Sequence, residues 1–167
     1  KCGSHVVNFS LPWQGSSLID NKIAIPSGSI AAVGQIPNTY VPARNIIFLS
    51  FAVSFAEVID AKAVFIGAHQ LDFSNYPDCR SVFFDAFQTA VSKGTKTGSL
   101  GKSVKIVTPI INMTKKEIVK AGAKLGVPFD LTWSCYKNGK KPCGTCESCM
   151  LRARGFKEAW INDPLVA

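Results

Sequence analysis

Four cysteines near the end of the chain have the spacing of a metal site. Cys135, Cys143, Cys146 and Cys149 are separated by seven, two and two residues. Thiolates two residues apart allow one tight turn, here containing Gly144, to present two sulfurs to a single tetrahedral ion. Because the protein would fill all four positions, this pattern predicts a structural Zn²⁺ site rather than a catalytic one, which keeps a position open.

Three other interpretations of the cysteines stay open. An iron–sulfur cluster also takes four cysteines, a C-x-x-C pair can be redox-active, and the thiols could be unliganded core residues. The ligand spacing favours zinc, and Cys135, although outside the compact run, is the only nearby fourth ligand. Thr145 and backbone N–H groups are expected to donate hydrogen bonds to the sulfurs.

A second group of polar residues begins an apolar segment. Arg44 and Asn45 precede the run IIFLSFAVSF, which has helical length and is apolar on nearly every face, so it predicts a helix buried between layers. A helix N-terminus favours anions, and arginine binds phosphate or carboxylate with two parallel hydrogen bonds. We therefore expect both residues to border a binding site. The alternative is a capping Asn45 and a surface Arg44.

A third group follows the apolar run at 63–68. Asp72, Tyr76 and Asp78 come after this predicted strand, where ligands bind in open α/β sheets. The carboxylates could accept hydrogen bonds from N–H groups of a ligand, and the tyrosine could stack on a ligand ring. The alternative is a simple turn, because NYPD has turn composition. Lys115, just after a predicted helix cap, is expected to meet a phosphate or to be solvated.

The elements that position these groups can be read from the hydrophobic pattern. In the first half of the chain we predict a strand at 5–11, an irregular lid candidate at 12–39, the helix after Pro42 and a strand at 63–68. A helix at 81–92 follows, and glycines 94, 98 and 101 end it in a loop. We then predict a strand at 104–110, a helix from the Thr114–Glu117 capping box to about 125, and a last helix with an exposed Arg152.

Alternating strands and helices predict an α/β domain whose mostly parallel sheet has helices on both faces. The 167 residues are 47% hydrophobic, enough for one compact domain. No apolar stretch approaches the roughly 20 residues of a membrane span, and the first residues lack a signal peptide's apolar core, so we expect a soluble, intracellular protein. The net charge of +8 is dispersed along the chain and does not favour a nucleic-acid partner.

Several blocks of the sequence together resemble one enzyme family. The blocks are TWSCY (132–136), PCGTCESC (142–149), LRARGF (151–156), VPARNIIFLS (41–50) and IGAHQLDFSNYPDCR (66–80). They resemble the 7-cyano-7-deazaguanine synthases of queuosine precursor biosynthesis, in register from about residue 5 to residue 158.

The resemblance implies a Rossmann-like fold of the ATP-pyrophosphatase class, similar to adenine nucleotide alpha hydrolases. It implies a cytoplasmic ligase that forms a nitrile from 7-carboxy-7-deazaguanine and ammonia, uses ATP with Mg²⁺, and carries one structural Zn²⁺ per chain. It places Arg44 and Asn45 beside nucleotide and substrate. Members of such families often form homodimers, although these residues do not indicate one.

One feature departs from the family pattern. The family's strand and SGGxDS pyrophosphate loop are absent from these residues, and PSGS at 26–29 follows no apolar strand. We therefore expect a single domain over 1–167 that lacks this unit, with a zinc-binding segment at 132–158 and doubtful activity of its own. The alternatives are a pyrophosphate-loop enzyme that modifies tRNA and a non-enzymatic zinc-knuckle module. PARN and DFSNYPDC favour the synthase.

Overall fold

The computed structural model describes residues 3–32, 34–69, 76–137 and 139–166. Its helices and strands occur in the order α1 (Arg44–Val58), β1 (Ala63–Phe65), α2 (Ser81–Gly94), α3 (Lys96–Ser99), β2 (Lys105–Val107), α4 (Lys115–Lys124) and α5 (Glu147–Ala159), with 3₁₀ turns at Pro77–Cys79 and Phe129–Leu131. Within the described ranges, no helix has both the length and the apolar character needed to cross a membrane.

The described strands form a parallel pair. Ala63 lies opposite Lys105 and Phe65 opposite Val107, so the α/β class and the parallel pairing are confirmed. Both strands are shorter than the predicted spans of 63–68 and 104–110 because the ladder covers only three residue pairs. The segment after β1 leaves the ladder as it approaches the candidate site.

The main core joins α1 and α2 to this sheet. Leu49 and Val53 of α1 pack with Phe84 and Val91 of α2 around Val64 and neighbouring strand residues. The predicted burial of α1 between layers is wrong for the described part of the chain. Its opposite face leaves aromatic side chains partly exposed, because a helix that is apolar all round buries only the side against which another element packs.

The predicted strand at 5–11 is also wrong. These residues run without regular structure, and the side chain of Val6 is 81% exposed. A strand needs a neighbouring backbone to complete its hydrogen bonds, and this segment instead approaches α1 through side chains. The rings of Phe9 and Phe51 lie 5.3 Å apart. The hydrophobic alternation thus reports contact with a helix rather than a place in the sheet.

The predicted loop after α2 contains a further helix, α3. The Thr95 hydroxyl accepts a hydrogen bond from the Gly98 N–H and so caps this short turn. Both the backbone N–H and the hydroxyl of Thr97 donate to the Glu57 carboxylate, at 2.8 and 2.7 Å. The glycines therefore led to the prediction of a loop, whereas side-chain capping stabilises a short helical turn here.

A second cluster joins α4 and α5. The capping box of Thr114 and Glu117 is confirmed, and Gly126, which follows the end of α4, adopts a left-handed conformation with φ of 69°. Val119 of α4 packs against Phe156 of α5. The helices approach closely at Gly155, where a Cβ atom would lie 2.7 Å from the Lys115 Cβ.

The expectation that Arg152 is exposed is wrong. Its side chain is 10% exposed and forms a bidentate ion pair with Asp163, at 2.6 and 2.7 Å. It also donates hydrogen bonds to the Thr132 hydroxyl and the Phe129 carbonyl. Burial of the charge is tolerated because each of the three guanidinium nitrogens donates a hydrogen bond to an oxygen acceptor. Arg152 thus joins the C-terminal residues and the 129–132 turn to α5.

The described residues of the irregular segment at 12–39, which are 12–32 and 34–39, pack on the rest of the chain without forming a strand or a helix. Ser16 and Thr39 are buried, and the Ser17 N–H donates to the Asn38 carbonyl, closing the segment into a loop. The Gly28 N–H donates to the Thr145 carbonyl at 2.8 Å, within the cysteine-rich segment. The loop is therefore attached to the predicted metal site, and its role as a lid stays a prediction.

Candidate active site and metal site

The four cysteines converge as predicted. One sulfur from each residue lies within 4.8 Å of the other three, and the Cys143 and Cys149 sulfurs are 4.0 Å apart. Four thiolates around one ion at a Zn–S distance of about 2.3 Å would be about 3.8 Å apart. The cluster therefore fits a single tetrahedral metal ion after a small contraction.

Backbone donors surround these sulfurs. Cys135 accepts hydrogen bonds from the N–H groups of Lys137 and Cys143, at 3.3 and 3.4 Å. Cys143 accepts from the Cys146 N–H at 3.3 Å and from the Thr145 hydroxyl at 3.7 Å, so the predicted donors are confirmed. Such donors stabilise thiolate ligands.

The electrostatics of the thiols also suit a cation. The N–H groups of Thr145 and Cys146 lower the pKa of Cys143 to about 5, whereas burial raises the pKa of Cys149 to about 12. A bound cation would reverse the effect of burial because a coordinating thiol loses its proton. The left-handed Gly144, with φ of 71°, forms the tight turn between the ligands.

Three of the predicted binding residues meet at one cavity. Arg44, Tyr76 and Lys115 line a space of about 190 Å³ beside residues 67–69, which follow β1. Arg44 is the first residue of α1 and Lys115 the first of α4, so two helix N-termini and two cationic side chains face the carboxyl end of the strand. Lys115 Nζ contacts His69 Nε2. This arrangement favours an anionic ligand.

Asn45 and Asp78 lie behind this cavity and bind each other. The Asn45 N–H donates to an Asp78 carboxylate oxygen at 3.2 Å, and the Asn45 amide donates to the Asp78 carbonyl at 2.9 Å. These contacts hold the Pro77–Cys79 turn against the start of α1 and so position Arg44 and Tyr76. Asp72 lies outside the described residues.

Cys79 is a free thiol beside the cavity. It is half-buried and accepts a hydrogen bond from the Asn45 amide at 3.4 Å. Burial, reinforced by the neighbouring Asp78 carboxylate, raises the pKa of its thiol. A protonated thiol is a poor nucleophile, which agrees with chemistry that needs none.

A chain of hydroxyl groups connects this cavity to a larger one. Tyr76 bonds to Thr39 at 2.5 Å and lies 3.4 Å from the Tyr136 hydroxyl. Burial, together with the hydrogen bond to Tyr76, raises the pKa of Tyr136 well above its usual range. Tyr136 and Glu147 line both the small cavity and a space of about 530 Å³ beneath residues 25–39. These two side chains therefore stand where the two cavities meet.

The comparison with protein families assigns the chain. The model described as "Queuosine biosynthesis protein QueC" matches residues 4–160. The chain belongs to the QueC family. Its α/β fold, its parallel strands and its C-terminal cysteine cluster agree with that membership, and the family resemblance seen in the sequence is confirmed.

Similar proteins agree with the QueC assignment, and each is named 7-cyano-7-deazaguanine synthase. The protein of Acetivibrio thermocellus is 54% identical over 151 residues, which are 90% of this chain and 67% of that protein. The protein of Trichodesmium erythraeum is 50% identical over 97% of this chain and 74% of its own length. The protein of Thermoplasma acidophilum is 47% identical over 96% and 67%.

Sequence reasoning missed three residues at or beside these two cavities. Tyr136 directly follows the ligand Cys135, so its position next to the metal cluster was a usable signal. Thr39 and Glu147 gave no such signal. Thr39 lies at the end of an irregular segment, and Glu147 has the position of an ordinary acidic residue in the first turn of a helix. Both are buried in the folded chain.

Proposed function

We propose that this chain carries the substrate-binding part of a 7-cyano-7-deazaguanine synthase, an ATP-dependent ligase that forms a nitrile from 7-carboxy-7-deazaguanine and ammonia. The main support for this proposal is the cavity after β1, where Arg44 and Lys115 provide two cations at two helix N-termini. The names of the relatives supply the product, and the cavity suits the carboxylate of the substrate that the family resemblance implies.

The chemistry explains why cations are needed. A carboxylate oxygen is a poor leaving group, so the substrate carboxylate attacks the α-phosphate of ATP, and pyrophosphate leaves. Ammonia then displaces AMP from the acyl adenylate to give the amide. A second ATP then adenylates the amide oxygen, again with release of pyrophosphate, and loss of AMP and protons gives the nitrile. Arg44 can hold the carboxylate in a bidentate geometry, and Lys115 can offset charge on the phosphate side.

In the same proposal the cysteine cluster holds a structural Zn²⁺, and ATP acts with Mg²⁺. The four sulfurs leave no open position for a substrate. Zinc would hold residues 135–149 together, and these residues carry Tyr136 and Glu147 to the cavities. The metal therefore acts on the geometry of the site and takes no part in the reaction.

Steady-state kinetics tests this proposal. The protein is translated from its complete reading frame, because residues 1–167 contain no SGGxDS loop, and nitrile formation is followed by chromatography. Arg44→Met and Lys115→Met should each lower kcat/KM by about 10²–10³. Lys116→Met is the matched control, since Lys116 faces a different surface groove, and should stay close to wild type.

The decisive negative result is also defined. A folded, zinc-loaded protein that releases no pyrophosphate and forms no nitrile with 7-carboxy-7-deazaguanine, ATP and ammonium would show that the proposed function is wrong. Equal losses in Lys115→Met and Lys116→Met would remove the assigned role of Lys115, because a general effect of surface charge would then explain both.

A further inference from the structure

The two cavities that meet at Tyr136 and Glu147 differ in charge. The smaller one contains Arg44 and Lys115. Among the described residues that line the larger one there is neither lysine nor arginine to offset the buried carboxylate of Glu147, which lines both cavities. A ligand carboxylate would be attracted to the first cavity and repelled from the second. Charge alone therefore sets an orientation for a ligand that enters both.

The larger cavity has the walls of a site for a flat heteroaromatic ring. Its volume of about 530 Å³ falls within the usual range for small-molecule sites. Its apolar lining is Ile25, Pro26, Ile30, Ile36 and Pro37. Hydrogen-bonding groups come from side chains such as Gln35 and Asn38. Apolar faces with a few polar groups suit a bicyclic ring that is stacked on its faces and recognised along its edge.

We propose that the larger cavity binds the deazapurine ring and that the carboxylate on this ring points past Tyr136 toward Arg44 and Lys115. This inference rests on the proposed function and adds the position and direction of the substrate. The irregular segment at 25–39 then becomes the specificity element of the site. Glu147 supplies an acceptor for ring N–H groups while its other contact, from the Ala31 N–H at 2.9 Å, holds the segment in place.

The hydroxyl of Tyr136 fits the junction in this arrangement. Tyr136 lines both cavities, and its hydroxyl lies 3.4 Å from that of Tyr76, which bonds in turn to Thr39. A phenolic hydroxyl both donates and accepts hydrogen bonds, so from this position the Tyr136 hydroxyl can donate to a substrate oxygen. The three hydroxyls thus connect the irregular segment at 25–39, the turn before α2 and the metal-binding segment. They do so where the substrate would pass from the larger cavity into the smaller one.

Calorimetric titration with two ligands tests the orientation. The ligands are 7-carboxy-7-deazaguanine and 7-deazaguanine, which has the same ring without the carboxylate. Ser29→Phe, at an exposed rim position of the larger cavity, should weaken both ligands at least tenfold by filling the space for the ring. Ser27→Phe is the matched control, because Ser27 is exposed but does not line the cavity, and should change neither affinity.

Arg44→Met separates the two ends of the ligand. It should weaken 7-carboxy-7-deazaguanine at least tenfold and leave 7-deazaguanine within twofold of wild type. Ile36→Ala gives a second measure of the ring site, with both ligands expected to bind about two- to tenfold more weakly. Thermal unfolding of each variant shows that the protein is folded in every titration.

The outcomes distinguish this inference from the function on which it rests. Unchanged binding in both Ser29→Phe and Ile36→Ala, or an equal loss of both ligands in Arg44→Met, would overturn the orientation while leaving the synthase intact. Failure of the wild-type protein to bind either ligand would overturn the substrate assignment itself, and the orientation with it.

Discussion

Substitution of Gly155 by alanine should destabilise the protein and disturb the site through the contact between α5 and α4. A Cβ atom at Gly155 would lie 2.7 Å from the Lys115 Cβ and 3.3 Å from the Lys115 carbonyl carbon. Ordinary carbon contacts are about 3.5–4.0 Å, so the helices must separate locally by about 1 Å. Because the contacted atoms are the backbone and Cβ of Lys115 in the first turn of α4, flexible side-chain motion cannot relieve the contact.

The magnitude follows from two opposing effects. Overpacking of a core position costs about 1–3 kcal/mol, and replacing glycine in a helix gains about 1 kcal/mol of helix propensity. We expect a net loss of about 1–2 kcal/mol in the free energy of unfolding, measured by urea denaturation. Displacing Lys115 by about 1 Å should also lower kcat/KM, by up to about 10²-fold.

Gly94→Ala provides the matched control for this prediction. Gly94 ends α2, and a Cβ atom there would meet nothing within 4 Å. This variant should be as stable as wild type or up to about 1 kcal/mol more stable, because only the propensity effect remains. If Gly155→Ala were as stable as Gly94→Ala, the close approach of the two helices would be refuted.

Three further predictions concern other parts of the chain. Chelation of the bound metal should lower the unfolding temperature and speed hydrogen exchange at the Gly28 and Ala31 amides, because both amides bond to the metal-binding segment. The amides of α2 should stay protected. Unchanged exchange at both Gly28 and Ala31 would contradict this prediction. Asp163→Asn should cost about 2–3 kcal/mol at neutral pH. Burial raises the pKa of Asp163, but hydrogen bonds from Arg152 and a backbone N–H lower it by more. The carboxylate therefore stabilises the fold above about pH 4, and this contribution disappears as the pH falls through the lowered pKa. A difference in stability between variant and wild type that grows in acid would contradict this prediction. Trp160→Gly should raise the unfolding temperature by about 2–4 °C, because Trp160 is 92% exposed and holds a left-handed φ of 60° that glycine adopts freely; a calorimetric scan with no increase would argue against this strain.

Features that depend on neighbouring residues could be predicted from the sequence. The Thr114–Glu117 capping box and the left-handed Gly126 follow from side chains within a few positions of one another. The cysteine cluster also follows from local spacing, since three ligands lie within one turn and the start of a helix. Arg44 and Lys115 could each be predicted as anion-binding residues because each begins a helix, but their meeting at one cavity was not predicted.

Features that depend on distant partners could not be predicted. Arg152 has the sequence context of an exposed helical arginine until Asp163 and the 129–132 turn fold back on it. The alternation at 5–11 has a strand's pattern, but a strand exists only if another backbone pairs with it. Thr39 became part of the site through a hydrogen bond to Tyr76, 37 residues away, which no local pattern encodes.

The bond between the Ala31 N–H and Glu147 joins residues 116 positions apart. During translation, residues 25–39 leave the ribosome long before the helix that holds them is made. The larger cavity therefore cannot close until residue 147 has emerged, whereas α1 and α2 can already pack on the sheet. Loop closure over such a distance is slow compared with helix formation. We expect the ability to bind a ligand to arise as the last step of folding, at a time set by metal capture rather than by formation of the main core.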